Sequence, residues 1–445
     1  MNNSINSNYT NNSNNSNNSN NSNKTDNNIN NELIYYINNE NNDYIHRNFF
    51  RENKELNQER IEYCNQGINW SNHQSRDDIR KYRLNHLNSY RNNETPSLLE
   101  KDLKRKFHLE TVKECFYQFK QLHNKVNVNV MHFQLRKNLK LVKSKDIVYF
   151  TDYSIDKFNI ITNRNKPLVI LNHEELENDF KAICLDVFQD NDYTHISYGK
   201  VNGTLKYKKM SNNEFYSKKS LNLTYEYEKE VQLAQGALDI TNFNEFYDNG
   251  NILLTGSNDK KIRFLDLNKD FQVSHQIETK DAVNHCAINN NLLTSVGDYK
   301  EIDLHDKREA KKIGELTGHD DFNFVIKFQP GSDYIIASGG QDQTCRLWDL
   351  RKSIDGGNAN FKSLYGNMEA IGDLMFVNDF VIYAENIDTT HIYNLKTERQ
   401  QSLWYFGRTS GIAYNEKNKN IYVGVNEYDH SGIMVYDQIN AMINI

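Results

Sequence analysis

The stretch that decides the fold lies between residues 318 and 350, where GH at 318–319 precedes FNFVIKFQPGSDYIIASGGQDQTCRLWDL at 322–350. Short apolar runs of strand length alternate there with turns rich in Gly, Asp and Gln. The dipeptide that ends the block recurs, as Leu265-Asp266, His305-Asp306, Trp348-Asp349, Tyr393-Asn394 and Tyr436-Asp437. The second residues of these dipeptides lie 40, 43, 45 and 43 residues apart. The spacing predicts that one unit of short strands is repeated along the chain.

A period of this length, with GH near its start and WD near its end, is typical of a four-stranded propeller blade. One small sheet cannot bury both of its faces, whereas sheets in a closed ring cover each other and leave few exposed edges. The region is therefore predicted to be all-β. We count seven blades, at about 130–162, 180–210, 238–273, 281–316, 320–353, 369–404 and 408–440. The stretch at about 211–236 is expected to be a loop or a pair of outer strands.

These features resemble those of the WD40-repeat proteins, in which a His, a Ser or Thr, an Asp and a Trp form a buried hydrogen-bond network inside a blade. The matching positions in this sequence are His319, Ser338, Asp342 and Trp348. A buried carboxylate is costly unless several donors reach it, so such a network favours one blade geometry. The order of these residues and the flanking strands favour this structural role over a Ser-His-Asp catalytic triad.

A narrower resemblance rests on several segments that occur together and in order. They are QGINWSNHQSRDDIRKYRLNHLNSYRN (66–92), HFQLRKNL (132–139), GHDDFNFVIKFQPGSDYIIASGGQDQTCRLWDLR (318–351), AENIDTTHIYNL (384–395) and YFGRTSGIAYNEKNKNIYVGV (405–425). They resemble a eukaryotic WD40-repeat family that carries a GIxW…YR…RL…Y segment ahead of the propeller. Most members of that family have no assigned biochemical activity.

The chain divides into three parts by composition. Residues 1–43 are predicted to be a disordered tail, because 17 of the first 31 residues are Asn and almost nothing there can be buried. Residues 44–127 are predicted to be a helical segment before the propeller, since 75–90 places apolar residues at helical spacing. Residues 128–445 are assigned to the propeller. The fold class is thus an all-β, seven-bladed WD40 β-propeller preceded by an Asn-rich tail and a short helical segment.

Charge, cysteines and motifs restrict the function. The net charge is −6 without an obvious basic face, which argues against a nucleic-acid or anionic-membrane binder, and no run of 18 apolar residues predicts a membrane span. Five scattered cysteines without a CxxC motif indicate a reducing compartment, the cytoplasm or the nucleus. The usual phosphate-binding, serine-hydrolase and metalloprotease motifs do not occur. We predict no catalytic residue, no metal and no cofactor.

The function predicted from these features is a non-enzymatic protein-interaction scaffold, monomeric within a complex, that binds protein or peptide partners on the propeller surface. Candidate top-face residues lie in the turns between second and third strands: Asn258, Lys260, Tyr299, Gln341, Asp388 and Tyr428. The alternative is a substrate receptor that docks on the adaptor of a cullin-RING ubiquitin ligase. It rests on paired Asp-x-Arg boxes, Asp306 with Arg308 and Asp349 with Arg351, which also occur as local turn caps.

Overall fold

The computed structural model of the chain describes residues 116–171, 181–217, 223–236, 239–354, 359–367, 369–427 and 431–439, all within the unit Lys54–Ile445. Strands dominate these residues. The helical elements there are α1 (Asn212–Tyr216), α2 (Leu350–Ile354) and a 3₁₀ turn (Leu267–Lys269). The predicted tail at 1–43, the helix predicted at 75–90 and the candidate Tyr428 lie outside the described residues. No helix in the described ranges has the length and apolarity to cross a membrane.

Five blades are separate sheets of four antiparallel strands that pair in chain order. Blade 1 contains β2 (Leu139–Val142), β3 (Asp146–Phe150), β4 (Ser154–Asn159) and β5 (Arg164–Ile170). Blade 2 contains β6 (Ala182–Gln189), β7 (Tyr193–Lys200), β8 (Thr204–Ser211) and β9 (Tyr227–Gln232). Blade 3 contains β10 (Thr241–Tyr247), β11 (Ile252–Ser257), β12 (Lys261–Asp266) and β13 (Gln272–Glu278). Blade 4 contains β14 (Val283–Asn289), β15 (Leu292–Gly297), β16 (Tyr299–Asp306) and β17 (Lys311–Leu316). Blade 5 contains β18 (Asn323–Phe328), β19 (Ile335–Gly340), β20 (Thr344–Asp349) and β21 (Asn360–Tyr365).

The remaining seven strands form one continuous sheet that holds blades 6 and 7. They are β22 (Ile371–Val377), β23 (Phe380–Glu385), β24 (Ile387–Asn394), β25 (Gln400–Asn415), β26 (Asn420–Asn426), β27 (Gly432–Gln438) and β1 (Tyr117–His123). The first part of β25 pairs with β24 as the outer strand of blade 6, and its last part pairs with β26 as the inner strand of blade 7. One 16-residue strand therefore joins the two blades.

Strand β1 corrects the predicted domain boundary. Residues 117–123 were assigned to the helical segment, yet they pair antiparallel with β27, from Tyr117 opposite Gln438 to His123 opposite Ile433. Their backbone groups complete the outer edge of blade 7, which residues 408–440 alone would leave with three strands. The propeller thus begins at or before Tyr117, earlier than the predicted residue 128.

The blades close into a ring, as predicted. Seven buried hydrophobic clusters each join two neighbouring blades, one cluster for every interface. The closing cluster joins blade 1 to blade 7, with Tyr149 and Phe158 packed among Tyr422 and Val435. Because each sheet is covered on both faces by its neighbours, the ring has no end at which apolar residues are left exposed.

The stretch expected as a loop or a pair of outer strands contains α1 and one outer strand, β9. Blade 1 holds α1 in place, because Lys157 Nζ donates to Phe215 O at 2.6 Å and Lys166 Nζ donates to Glu214 O at 2.5 Å. The acidic run at 225–230 lies largely in β9. Its glutamates pair with lysines of β8: Lys208 Nζ donates to Glu228 Oε2 at 2.5 Å, and Lys206 Nζ lies 3.5 Å from Glu230 Oε2.

Candidate functional site

The four network residues of blade 5 lie in mutual contact. Trp348 Nε1 donates to Ser338 Oγ at 2.8 Å, Ser338 Oγ is 2.6 Å from His319 Nε2, and His319 Nδ1 is 2.8 Å from Asp342 Oδ2. The indole nitrogen of Trp348 can only donate, so Ser338 Oγ accepts from it and donates its own proton to His319 Nε2. His319 Nδ1 then carries a proton and donates it to the Asp342 carboxylate. Ser338 Oγ and Asp342 Oδ2 therefore both make hydrogen bonds to side chains within the blade.

The Asp342 carboxylate is the centre of this network. Its side chain is fully buried, and it also accepts from the backbone N–H of Asp320 at 3.1 Å and from the N–H and O–H of Thr344 at 3.1 and 2.8 Å. Burial raises the pKa of Asp342, but His319 and Arg346 outweigh it and hold that pKa well below its usual value. The carboxylate therefore stays ionised and is a structural acceptor, with no free face for a substrate.

Two other blades carry related contacts that the sequence analysis did not identify. In blade 2, His195 lies between Asp190, at 3.0 Å from Nε2, and the Tyr207 hydroxyl, at 2.6 Å from Nδ1. In blade 6, His391 Nε2 lies 2.7 Å from Glu385 Oε1, with both side chains fully buried. His195 lies in β7 and His391 in β24, whereas His319 lies in the connection before β18, so the GH motif does not mark these two histidines.

In each of the two Asp-x-Arg boxes, the arginine donates hydrogen bonds to the aspartate of the same box. Arg308 Nε and Nη2 donate to the two oxygens of Asp306 at 3.1 and 2.6 Å, and its backbone N–H donates to the same carboxylate at 2.9 Å. Arg351 and Asp349 repeat this geometry at 2.9, 2.6 and 3.1 Å. Arg351 additionally lies 3.8 Å from the ring centre of Tyr334. Each arginine thus reinforces its own turn.

Three of the candidate top-face residues are buried, and their side chains make hydrogen bonds within the propeller. Tyr299 is 5% exposed with its hydroxyl 3.2 Å from Ser295 Oγ, and Gln341 is 6% exposed and accepts from Gln134 Nε2 at 3.2 Å. Asp388 is 3% exposed and accepts a backbone N–H at 2.8 Å. Their assignment as partner-binding side chains is corrected, because position in a turn does not by itself place a side chain in solvent.

The two other described candidates occupy the turn between β11 and β12. Asn258 is half-buried and accepts from Asn242 Nδ2 at 2.7 Å. Lys260 is exposed, with its ammonium 3.4 Å from Asp281. Lys260 is therefore the described candidate that a partner can reach directly.

A cluster of titratable side chains lines the centre of the ring. The sequence analysis did not predict this cluster. Six inner strands contribute one residue each: Lys140 from β2, Asp186 from β6, Glu245 from β10, His285 from β14, Lys327 from β18 and Asp373 from β22. Lys140 Nζ lies 3.1 Å from Asp186 Oδ1, and Lys327 Nζ lies 2.9 Å from Glu245 Oε1. Ring closure alone brings these residues of separate blades together.

Three of these side chains each tie their own blade to the next one by accepting a backbone N–H, which joins blades 2 and 3, blades 4 and 5, and blades 6 and 7. The bonds run from Phe246 N to Asp186 Oδ2 at 2.8 Å, from Ile326 N to His285 Nδ1 at 3.2 Å, and from Ile412 N to Asp373 Oδ2 at 2.9 Å. Burial lowers the pKa of His285 well below its usual value, so its ring is neutral and Nδ1 accepts. Burial raises the pKa of Glu245, but Lys327 and His285 outweigh it and hold that pKa well below normal.

The segment that precedes β2 crosses one end of this channel. Leu135 packs with Phe324 and Ala370 of blades 5 and 6, while Asn138 Nδ2 donates to Ile183 O of blade 2 at 3.0 Å. The described residues contain no group of three or more His, Cys, Asp or Glu side chains placed to hold a metal ion.

Comparison with known proteins agrees with this architecture. The family described as "WD domain, G-beta repeat" matches residues 310–349. Histone acetyltransferase type B subunit 2 of Candida glabrata is 31% identical over 100 residues, 22% of this chain and 24% of that protein. Ribosome biogenesis protein YTM1 of Pyricularia oryzae is 29% identical over 103 residues, 22% of this chain and 21% of that protein. The chain therefore matches less than a quarter of the length of either relative.

A solved structure extends the fold comparison to most of the chain. A chain in the crystal structure of a mitotic checkpoint complex superposes with a TM-score of 0.57 at 11% identity, covering 74% of this chain and 94% of that one. At this identity the likeness shows the fold alone. The narrower resemblance to one eukaryotic family stays a prediction. With its GH…WD repeat and its closed ring of seven blades, the chain has the WD40-repeat β-propeller fold.

Proposed function

We propose that this protein is a non-enzymatic interaction scaffold that binds protein or peptide partners on the surface of the propeller. The observation that carries the proposal is that the outer strands of blades 3, 4 and 5 each expose an apolar side chain on the rim of the propeller. Val273 on β13 is 48% exposed, Ile313 on β17 is 60% exposed, and Phe361 on β21 is 43% exposed. Exposed apolar surface that is contiguous is typical of protein-binding sites.

The comparisons support the same class of function. One relative is a histone acetyltransferase subunit, and the similar solved chain comes from a mitotic checkpoint complex. Cys184, Cys286 and Cys345 are free and buried, which fits a protein that works in the reducing nucleus or cytoplasm. A rim of apolar side chains with a net negative chain charge favours protein partners over nucleic acid.

The test is quantitative affinity purification of the full chain with the double substitution Ile313→Lys and Phe361→Lys. Charged residues on this rim should deplete a defined set of partners by at least about ten-fold, since removing two apolar contacts costs a few kcal/mol. Ile161→Lys is the matched control, because Ile161 is 76% exposed on blade 1, away from this rim. Equal partner recovery from the double variant and the wild type would refute the rim as the binding surface.

The ligase-receptor alternative is tested separately by changing Arg308 and Arg351 to Ala. Each guanidinium is bound in bidentate fashion by its own aspartate, which favours a turn-closing role over docking on an adaptor. Adaptor recovered with the wild type and lost with the double variant would establish the alternative. Equal recovery from both proteins, or none from either, would remove it.

A further inference from the structure

Blade 6 carries a serine, a histidine and a glutamate in one line of hydrogen bonds. Ser402 Oγ lies 2.8 Å from His391 Nδ1, and His391 Nε2 lies 2.7 Å from Glu385 Oε1. Three neighbouring strands supply these side chains, since Glu385 ends β23, His391 lies within β24, and Ser402 lies opposite it on β25. A hydroxyl, a base and a carboxylate that orients the base are the groups that activate a nucleophilic serine.

The blade holds the imidazole of His391 in one orientation. Both side chains of the Glu385–His391 pair are fully buried, and the carboxylate also accepts the backbone N–H groups of Asn367 at 2.6 Å and Glu369 at 2.7 Å. The ring of Tyr383 stacks on the imidazole, with the ring centres 4.7 Å apart and the planes inclined by 25°. The imidazole is therefore fixed at one nitrogen and across one face.

The partners of the imidazole decide which nitrogen is the base. The Glu385 carboxylate accepts hydrogen bonds, so His391 Nε2 carries the proton that points to it. In the neutral ring Nδ1 then has a lone pair, and it accepts from the Ser402 hydroxyl. The hydroxyl proton of Ser402 is therefore already directed at a base.

The position of Ser402 distinguishes it from the serine of the blade 5 network. Ser338 is fully buried, and its hydroxyl oxygen already accepts from Trp348 Nε1. Ser402 is only half-buried, and it lies on the part of β25 that forms the outer strand of blade 6. A small molecule can therefore approach Ser402 from the rim, whereas Ser338 is closed to it.

An amide donor lies beside the same nitrogen. Gln400 is exposed, stands two residues before Ser402 on the same face of β25, and has its Nε2 3.2 Å from His391 Nδ1. Nδ1 has one lone pair, so the hydroxyl and the amide share it. Once Nδ1 takes the hydroxyl proton, the Gln400 amide is released and can donate to the negative oxygen that forms on an attacked carbonyl.

We propose that Ser402 is a nucleophilic site on the rim of blade 6 that takes an acyl group from an activated ester. Ser402 Oγ attacks the carbonyl carbon while its proton passes to His391 Nδ1. The bond from that carbon to the leaving alcohol breaks, and the alcohol departs with the proton, which leaves Ser402 as an ester. Glu385 is a positioning residue that acts through His391. The reaction adds a covalent site to the scaffold and requires no turnover.

Acetylation of the full chain by limiting p-nitrophenyl acetate at pH 7, followed by peptide mass spectrometry, tests the proposal. Ser274 is the matched control, because it is exposed on the outer strand β13 and its hydroxyl donates to Phe264 O at 3.1 Å, which is not a base. We expect Ser402 to be acetylated at least about 100-fold faster than Ser274, the lower end of what a general base contributes. Ser402 acetylation no faster than that of Ser274 would overturn the proposal.

Two variants assign the roles, with the Ser274 rate and the circular dichroism spectrum as checks on the fold. His391→Gln should reduce Ser402 acetylation to the level of Ser274. Glu385→Gln keeps an acceptor for His391 Nε2 but removes the charge that stabilises the imidazolium, so Ser402 should react at least about ten-fold more slowly while Ser274 is unchanged. A Ser402 rate that is the same in folded His391→Gln and in the wild type would refute the base. The comparison of Ser402 with Ser274 needs no substitution, so it decides even if a variant does not fold.

Discussion

Replacing Asp342 by Ala should destabilise blade 5 more than any exposed substitution near it. The carboxylate accepts hydrogen bonds from His319, from the Asp320 N–H and from two groups of Thr344. Each hydrogen bond to a charged group is worth about 1.5–3 kcal/mol, and the cost of burying the carboxylate offsets part of that sum. We therefore expect the free energy of unfolding to fall by about 3–5 kcal/mol, the scale of removing one partner of a buried charged pair.

Equilibrium urea denaturation followed by tryptophan fluorescence measures this change, because Trp348 belongs to the same network. Asp320→Ala is the matched control. Asp320 is 44% exposed, and its carboxylate makes one 3.4 Å contact with Arg346, so we expect a loss of about 0–1 kcal/mol. A loss for Asp342→Ala within about 1 kcal/mol of this control would refute the reasoning that the carboxylate organises the blade.

The same substitution should change how stability depends on pH. The folded pKa of Asp342 lies below its unfolded value, so its contribution is fully present above about pH 4 and is lost as the pH falls below that value. The wild type should therefore lose its advantage over Asp342→Ala progressively in the window below about pH 4. A constant difference across that window would contradict the depressed pKa.

Three further predictions concern strand packing, ring closure and the channel. A Cβ on Gly297 would lie 1.8 Å from Ala282 O, so Gly297→Ala should lower the free energy of unfolding by about 3 kcal/mol in urea denaturation. Gln401 bonds the Tyr117 N–H at 2.9 Å and its carbonyl at 2.6 Å, so Gln401→Ala should cost about 2 kcal/mol and speed amide hydrogen exchange in β1. Glu245→Gln should cost about 1 kcal/mol at pH 7, because this carboxylate is partly exposed, and the difference from the wild type should shrink progressively as the pH falls below about 4.

Blade 5 could be predicted from the sequence because its signals are local. His319, Ser338, Asp342 and Trp348 all lie within 30 residues, and the strands between them have the expected length. Ring closure followed from the repeat period and from the need to cover both faces of each sheet. The closing strand could not be found this way, because Tyr117 pairs with Gln438 at the far end of the chain and no local motif links them.

The channel cluster escaped prediction for a related reason. Each of six inner strands contributes one charged or titratable residue to the cluster, such as Glu245 in β10 or Lys327 in β18, and alone each is typical of a solvent-facing position. Only the ring places the ammonium of Lys327 2.9 Å from Glu245, two blades away. Tyr299 and Gln341 were predicted to be exposed because of their position at a turn. Their burial could not be predicted, because a turn position does not show which parts of the fold cover the side chain.

The inner and outer strands of each blade present different side chains. Inner strands such as β22 present Asp373 to the channel, where charged side chains of different blades pair with one another or with backbone N–H groups. Outer strands such as β17 and β21 have one edge without a partner in the sheet, and they expose Ile313 and Phe361. Two further strands separate the inner strand from the outer strand in every blade, so substitutions at the rim should not disturb the inner strands. The architecture therefore allows the partner-binding rim to vary while the charged side chains of the channel stay in place.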